Sequence, residues 1–215
     1  MNTTNFEYTN TKKLVIFSMF SAIIFLLAFT PVGFINLGFI KATIIHIPVI
    51  IGSIILGAKM GAWLGFMFGV TSLINNTLSP AISSFVFSPL IPVPGSTKGS
   101  LWALLICFVP RILVGVLPWF IYHFGQRLIK EQANFVALTV AGVLGSLTNT
   151  LLVMHLIYFL FKDEYALVRD VAQNAVYSVI TTIIVSNGIP EAIVSGILTT
   201  AICKVLFVIL RKQQL

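Results

Sequence analysis

Charge is what this sequence has least of: Asp, Glu, Lys and Arg together make up 9% of its 215 residues, while 58% are hydrophobic. Soluble domains are about 25% charged, so a soluble enzyme or scaffold is excluded and the chain reads as a bilayer protein. Its net charge of +7 does not point to nucleic acid, because the basic residues sit mostly at the ends of apolar stretches rather than in a patch interleaved with aromatics. Cysteine is nearly absent. Cys107 and Cys203 fall inside apolar stretches, where they behave as small hydrophobes, so neither a disulfide framework nor a metal site is indicated. The phosphate-binding pattern G-x-x-x-x-G-K-[ST] is missing. The run Gly95, Ser96, Thr97, Lys98, Gly99 resembles it only superficially, and no ATP hydrolysis is expected of this chain. G-x-S-x-G and H-E-x-x-H are missing too, and Asp163 and Asp170 lie in a predicted loop, which removes the usual intramembrane proteases. Neither an enzyme nor a cofactor is expected.

What is present is apolar length. Six stretches stand out, at 14–34, 42–57, 58–78, 101–124, 135–161 and 171–210. A span needs about 20 residues, so the expected fold is all-α: an integral-membrane bundle of six transmembrane helices forming one domain over 1–215. The last stretch is long enough to be a tilted or broken helix after a short outer segment, with the break at Gly188 and Pro190. Residues 1–11 are polar, contain Glu7 and precede an apolar run without a small-residue cleavage pattern, so that run reads as a retained helix. With the N-terminus inside, Lys12, Lys13, Lys59, Arg127, Lys130, Lys204, Arg211 and Lys212 lie on the inner side and Lys41, Lys98, Lys162 and Arg169 outside. Eight against four favours both termini in the cytoplasm. The longest outer connection, 79–100, mixes proline, serine and glycine with Phe85, Val86, Phe87, Leu90 and Ile91. It is expected to fold over the outer mouth of the bundle, the alternative being a loop resting on lipid headgroups.

Gly57, Gly61, Gly65 and Gly69 recur every four residues, a ridge without side chains that lets a neighbouring helix approach closely. Packing within the chain is the preferred reading over a dimer interface. Ser18 and Ala22 form a similar small pair in the first span, with Ser21 and Ala28 nearby.

The polar residues inside the spans are few and placed alike in depth. Arg111 lies ten residues into the fourth stretch, roughly 15 Å from its outer end. A guanidinium in hydrocarbon costs about 2.5–3.5 kcal/mol on insertion scales, so it normally faces a cavity, a partner or a ligand. Asn75 and Asn76 close the third stretch beside Thr71 and Ser72. Asn149 stands among Ser146, Thr148 and Thr150, and Asn187 and Glu191 are four apart with Ser195 and Thr199 continuing the stripe. Four helices thus offer amide or charged groups to the outer half of the membrane, which predicts a pocket open to the outside. The competing reading pairs Arg111 with Glu191 and leaves the asparagines as interhelical glue worth about 0.6 kcal/mol each. His46 and His155 read as satisfied packing residues. One guanidinium suits one carboxylate held bidentately, so a small, singly charged, hydroxylated solute fits better than a dianion.

The segments HIPVIIGSIILGAKMGAWLGFMFGVTSLINNTLSP (46–80), SFVFSPLIP (84–92), PRILVG (110–115) and GSLTNTLLV (145–153) resemble the substrate-binding S components of energy-coupling factor (ECF) vitamin transporters, most of all the pantothenate-specific member. The resemblance covers nearly the whole chain. It implies a subunit of the bacterial cell membrane that captures a vitamin outside, docks on a transmembrane coupling protein (EcfT type) carrying two cytoplasmic ATPases (EcfA type), and tips over to release the vitamin inside. The family's coupling contact, an Ala-x-x-x-Ala face of helix one, falls on Ser18 and Ala22, with serine as a conservative departure. Pantothenate carries a carboxylate, an amide, hydroxyls and a gem-dimethyl group. That inventory assigns Arg111 to the carboxylate, and Asn75, Asn149 and Asn187 to amide and hydroxyl oxygens. Glu191 then accepts from a hydroxyl or holds Arg111, Asn76 stands beside the site, and Phe87 and Trp102 form aromatic walls. Riboflavin favours an aromatic sandwich and folate, a dianion, wants more positive charge; these and vitamin B6 are the alternatives within the class. A solitary proton-coupled carboxylate carrier using Glu191, or a purely structural subunit, are the alternatives outside it.

Overall fold

The computed structural model describes residues 10–36, 41–128 and 134–212. Most of the polar N-terminus (1–9) and Lys130 lie outside the described residues. Helix α1, Asn10–Phe29, buries one narrow stripe, Phe20, Ile24, Leu27 and Ala28, at the spacing of a single helical face. It stops ahead of Pro31, because the residue before a proline is pushed out of helical geometry. A short 3-10 turn, Pro31–Gly33, follows. It leads into an antiparallel hairpin of β1, Phe34–Asn36, and β2, Lys41–Thr43, with Phe34 opposite Thr43 and Asn36 opposite Lys41. This hairpin is a small addition to an otherwise helical chain.

Helix α2, His46–Leu56, has 11 residues, all buried but the last. At 1.5 Å per residue it is about 16 Å long, half the hydrocarbon thickness of about 30 Å. The expected second span is therefore a short central helix that touches α1, α3, α4, α5 and α7. Gly57 turns the chain at φ 97°, a conformation open to glycine, into α3, Ala58–Leu78. After the connection 79–100 come α4, Trp102–Leu128, and α5, Asn134–Arg169, which kinks at Phe161. Helix α6, Val176–Ile183, runs through a π turn, Ile184–Gly188, into α7, Ile189–Lys212. The break expected at Gly188 and Pro190 is thus a widened turn rather than an interruption. Proline at 190 has no N–H for the Ser186 carbonyl and its ring crowds that oxygen, and one wider turn relieves both.

Among the described residues, counting α6 to α7 as one unit gives six α-helices, but four stretches are long and apolar enough to cross a membrane: Asn10–Phe29, Trp102–Leu128, Asn134–Arg169 and Gln173–Leu210. Helix α2 is too short, and α3 trades apolar residues for glycines and for Ser72, Asn75 and Asn76. Helix α2 is sheltered by the other helices and needs none of the apolar surface that lipid contact demands, whereas α3 buries only one face and leaves Trp63 and Leu78 exposed.

The glycine ridge packs α3 on α4. A Cβ at Gly61 would overlap the Gly115 carbonyl oxygen, and one at Gly65 would overlap the Arg111 carbonyl oxygen. Gly57 is not part of that seam, since a Cβ there meets nothing. The apolar interior falls into two clusters. One gathers α1 and α2 with Leu64, Phe68, Val114, Tyr122, Leu138 and Cys203. The other joins Phe85, Val86 and Val93 of the 79–100 connection to Ile106, Val153, Ile157, Phe161 and Ile180. The end holding the second cluster is called the loop end below.

Candidate functional site

Between the two apolar clusters runs a polar belt. Along α4, Arg111 separates Ile106 of the loop-end cluster from Val114 of the other. Along α5, Ser146, Asn149 and Thr150 separate Ala141 from Val153, and between α6 and α7 Asn187 and Glu191 separate Ile180 from Cys203. On α3, Thr71, Ser72, Asn75 and Asn76 follow Phe68. Polar residues interrupt the apolar ones on each of these helices, though not at a single depth: Gly65 packs on the Arg111 carbonyl, and Asn75 and Asn76 lie further along α3 toward the start of α4.

Arg111 is 7% exposed. Its side chain bends back toward the start of α4, as long helical side chains do, and Nη1 donates to the Ile106 carbonyl at 2.8 Å. Nη2 reaches the Ser72 hydroxyl at 3.5 Å, a long contact by hydrogen-bond standards. The guanidinium carbon lies 4.9 Å from the centre of the Phe87 ring and 5.6 Å from that of Phe68, within cation–π range. The Cys107 thiol beside it donates to the Gly69 carbonyl at 3.3 Å. Nε is buried and has no partner. The close seam at Gly65 and Gly69 brings Ser72 and Phe68 of α3 within reach of α4.

Glu191 does not neutralise this cation. Its carboxylate accepts the backbone N–H of Thr43 at 2.7 Å, tying β2 to α7. A Cβ on Gly188 would lie 2.9 Å from Thr150, so the π turn is held close to α5 at the same level. The belt therefore has two poles, the guanidinium between α3 and α4 and the carboxylate between β2, α5 and α7.

The other expected site residues divide. Phe87 meets Arg111. Asn149 has a buried Oδ1 without a partner, and Asn187 sits in the π turn, where it accepts from the Ser186 hydroxyl at 3.3 Å. Asn75 reaches the Ala28 carbonyl at 3.5 Å, at the end of α1. Asn76 is engaged structurally: its amide donates to the Ser72 carbonyl at 2.8 Å, and its oxygen accepts from the Ser84 hydroxyl at 2.8 Å. With Thr77 and Ser88, whose hydroxyls are 2.7 Å apart, it fastens the 79–100 connection to α3. Trp102, 56% exposed on the first turn of α4, does not join the cluster. Ser18 and Ala22 are both exposed on α1.

Several contributors were not read from the sequence. Phe68 lies one turn before Ser72 on the face of α3 toward Arg111. The Thr43 backbone N–H carries no sequence signal. His46, read as a satisfied packing residue, is buried with Nε2 unpartnered. His155, by contrast, is half-buried with its ring against Tyr177 of α6 and its Nδ1 2.7 Å from the Leu151 carbonyl.

Buried polar atoms are nearly always paired; among the described residues those without a partner are Arg111 Nε, Asn149 Oδ1, Ser146 Oγ and His46 Nε2, along with Ser21 Oγ, Ser53 Oγ and Thr199 Oγ1 elsewhere in the bundle. The sequence profile described as "ECF transporter, substrate-specific component" matches residues 12–203. A protein of Lactococcus lactis subsp. cremoris named pantothenic acid transporter PanT is 40% identical over 163 residues, 76% of each chain. A protein of Leuconostoc mesenteroides subsp. mesenteroides named pantothenate transporter PanT is 30% identical over 202 residues, 91% of this chain and 92% of that one. A multi-pass helical membrane protein with this match along nearly its whole length belongs to the family of substrate-specific components of ECF transporters.

Proposed function

We propose that this chain is the capture subunit of an ATP-driven vitamin uptake system in the bacterial plasma membrane and that its solute is pantothenate, bound in the belt. The observation that carries this reading is the buried Arg111, stacked on Phe87 with no carboxylate partner among the described residues and with Nε unpaired. An uncompensated cation in a membrane interior calls for an anion, and one guanidinium matches one carboxylate. The names of the two relatives favour pantothenate over the other vitamins. The carboxylate goes to Arg111, the gem-dimethyl carbon against Phe87 and Phe68, and the amide and hydroxyl groups to Asn149, Asn187 and Asn75. Glu191, already fixed by Thr43, keeps lone pairs to accept from a hydroxyl. Asn76 acts on the site by holding the connection above it.

Both termini are cytoplasmic in this reading, so the belt lies in the outer half of the membrane. The exposed pair Ser18 and Ala22 on α1 is the contact for a transmembrane coupling protein of the EcfT type, whose two cytoplasmic EcfA-type ATPases supply the energy. Calorimetry on the purified chain tests the first step. Pantothenate is expected to bind without ATP, and Arg111→Ala to lose that binding while the protein stays folded and monodisperse. Absence of pantothenate binding by the wild-type protein overturns the reading.

A further inference from the structure

We propose that Pro110 is a positioning residue for solute capture: by leaving the Ile106 carbonyl free, it holds Nη1 of Arg111 and presents the opposite, Nε/Nη2 edge of the guanidinium to a carboxylate. The inference rests on the capture reading above and adds to it how the anion is met and what sets that geometry.

In an α-helix the Ile106 carbonyl takes the N–H of residue 110, and proline has none. A buried carbonyl is thereby released inside α4, and Nη1 of the next residue, Arg111, occupies it at 2.8 Å. A guanidinium offers its donors in a fixed fork. Nη1 lies on the side of the side-chain stem, while Nε–H and one N–H of Nη2 point in parallel from the other edge. Those are the donors left over: Nε is buried without a partner, and Nη2 has only the 3.5 Å contact to Ser72. Two parallel donors match the two oxygens of one carboxylate. The rings of Phe87 and Phe68 fix the plane in which they point. Helix α4 contains a second buried proline, Pro118. Its counterpart carbonyl, on Val114, receives no side-chain donor among the described residues, so the device belongs to the Pro110–Arg111 pair and not to helix prolines in general.

The test uses the full chain in lipid nanodiscs with 15N-arginine labelling. It is titrated with pantothenate and with the alcohol in which CH2OH replaces the carboxylate. In the wild type, Arg111 is expected to show separate Nη1 and Nη2 signals, and pantothenate to move Nε and Nη2 but not Nη1. In Pro110→Ala the restored N–H takes the Ile106 carbonyl. The Nη signals then merge and the dissociation constant for pantothenate rises about tenfold or more, while that for the alcohol stays within about twofold. Pro118→Ala keeps the wild-type pattern, and Pro110→Ala adds nothing on an Arg111→Ala background. Unmerged Nη signals in Pro110→Ala, or an unchanged preference for carboxylate over alcohol, overturns the proposal. Where that variant does not fold, a single averaged Nη signal in the wild type, or movement of Nη1 on binding, does the same. Should the wild type bind neither compound, the capture reading fails and the role in capture with it, while the Nη comparison between wild type and Pro110→Ala still decides whether Pro110 orients the guanidinium.

Discussion

The two ends of the bundle are held together by different means. Around α2, backbones meet backbones: the carbonyls of Gly115 and Arg111 occupy the space where side chains of Gly61 and Gly65 would be, and ten consecutive residues of α2 are buried. At the loop end the apolar cluster is completed by Phe85, Val86 and Val93, residues of an irregular connection fastened through side-chain hydrogen bonds from Asn76 and Thr77. Backbone contacts have no rotamer to adjust, whereas hydroxyl and amide anchors can be exchanged singly. The belt, with Arg111 at one pole and Glu191 at the other, lies where these two regimes meet. One side of the site is rigid, and the other depends on a few replaceable bonds.

The sharpest way to break that contrast is to put a side chain into the seam. Gly65→Val is expected to abolish a stably folded protein, since overpacking costs about 1–3 kcal/mol even where side chains can shift and here the obstacle is backbone. Size-exclusion profiles and thermal melts read this directly. Arg111→Ala comes next: truncating one member of a desolvated charge pair costs about 2–5 kcal/mol of binding, so pantothenate binding should fall to the limit of calorimetry with the melting temperature preserved. Asn149→Leu removes one neutral acceptor and should weaken binding by about 0.5–1.5 kcal/mol. Ser84→Ala leaves Asn76 Oδ1 and the Ala81 N–H without their shared partner. It is expected to change solute association and dissociation rates severalfold in stopped-flow measurements while melting shifts little, the opposite of the seam variant. Trp102→Ala, on the exposed first turn of α4, should leave affinity within about 0.5 kcal/mol of wild type. A large loss there would place the solute nearer the surface than the belt.

Much of this was legible beforehand, and the remainder was hidden for specific reasons. The glycine spacing announced a close seam, and the structure supplies its partner, α4. The isolated Arg111 announced a site, because few roles justify a guanidinium at that depth. Hydropathy misjudged 42–57 as a full span: a helix shielded by five others and a helix facing lipid can have the same composition. Trp102 and Phe87 were equally plausible as aromatic walls, and only the path of the 79–100 connection separates one against the cation from one at the surface. Asn76 looked like its neighbour Asn75, yet on a helix adjacent residues point about 100° apart, and it faces Ser84 of the connection.

The chain's own composition determined that it lives in a membrane, that its helices pack closely at glycines, and that one buried cation needs an answer, since these follow from transfer free energies and side-chain size alone. Tertiary structure decided which groups answer it. Whether Glu191 meets Arg111 or the Thr43 backbone, and whether Nη1 or Nε is left for a solute, depends on helix register and on a carbonyl freed by Pro110, and hydrogen bonds are settled by ångströms that no pattern of residue types encodes.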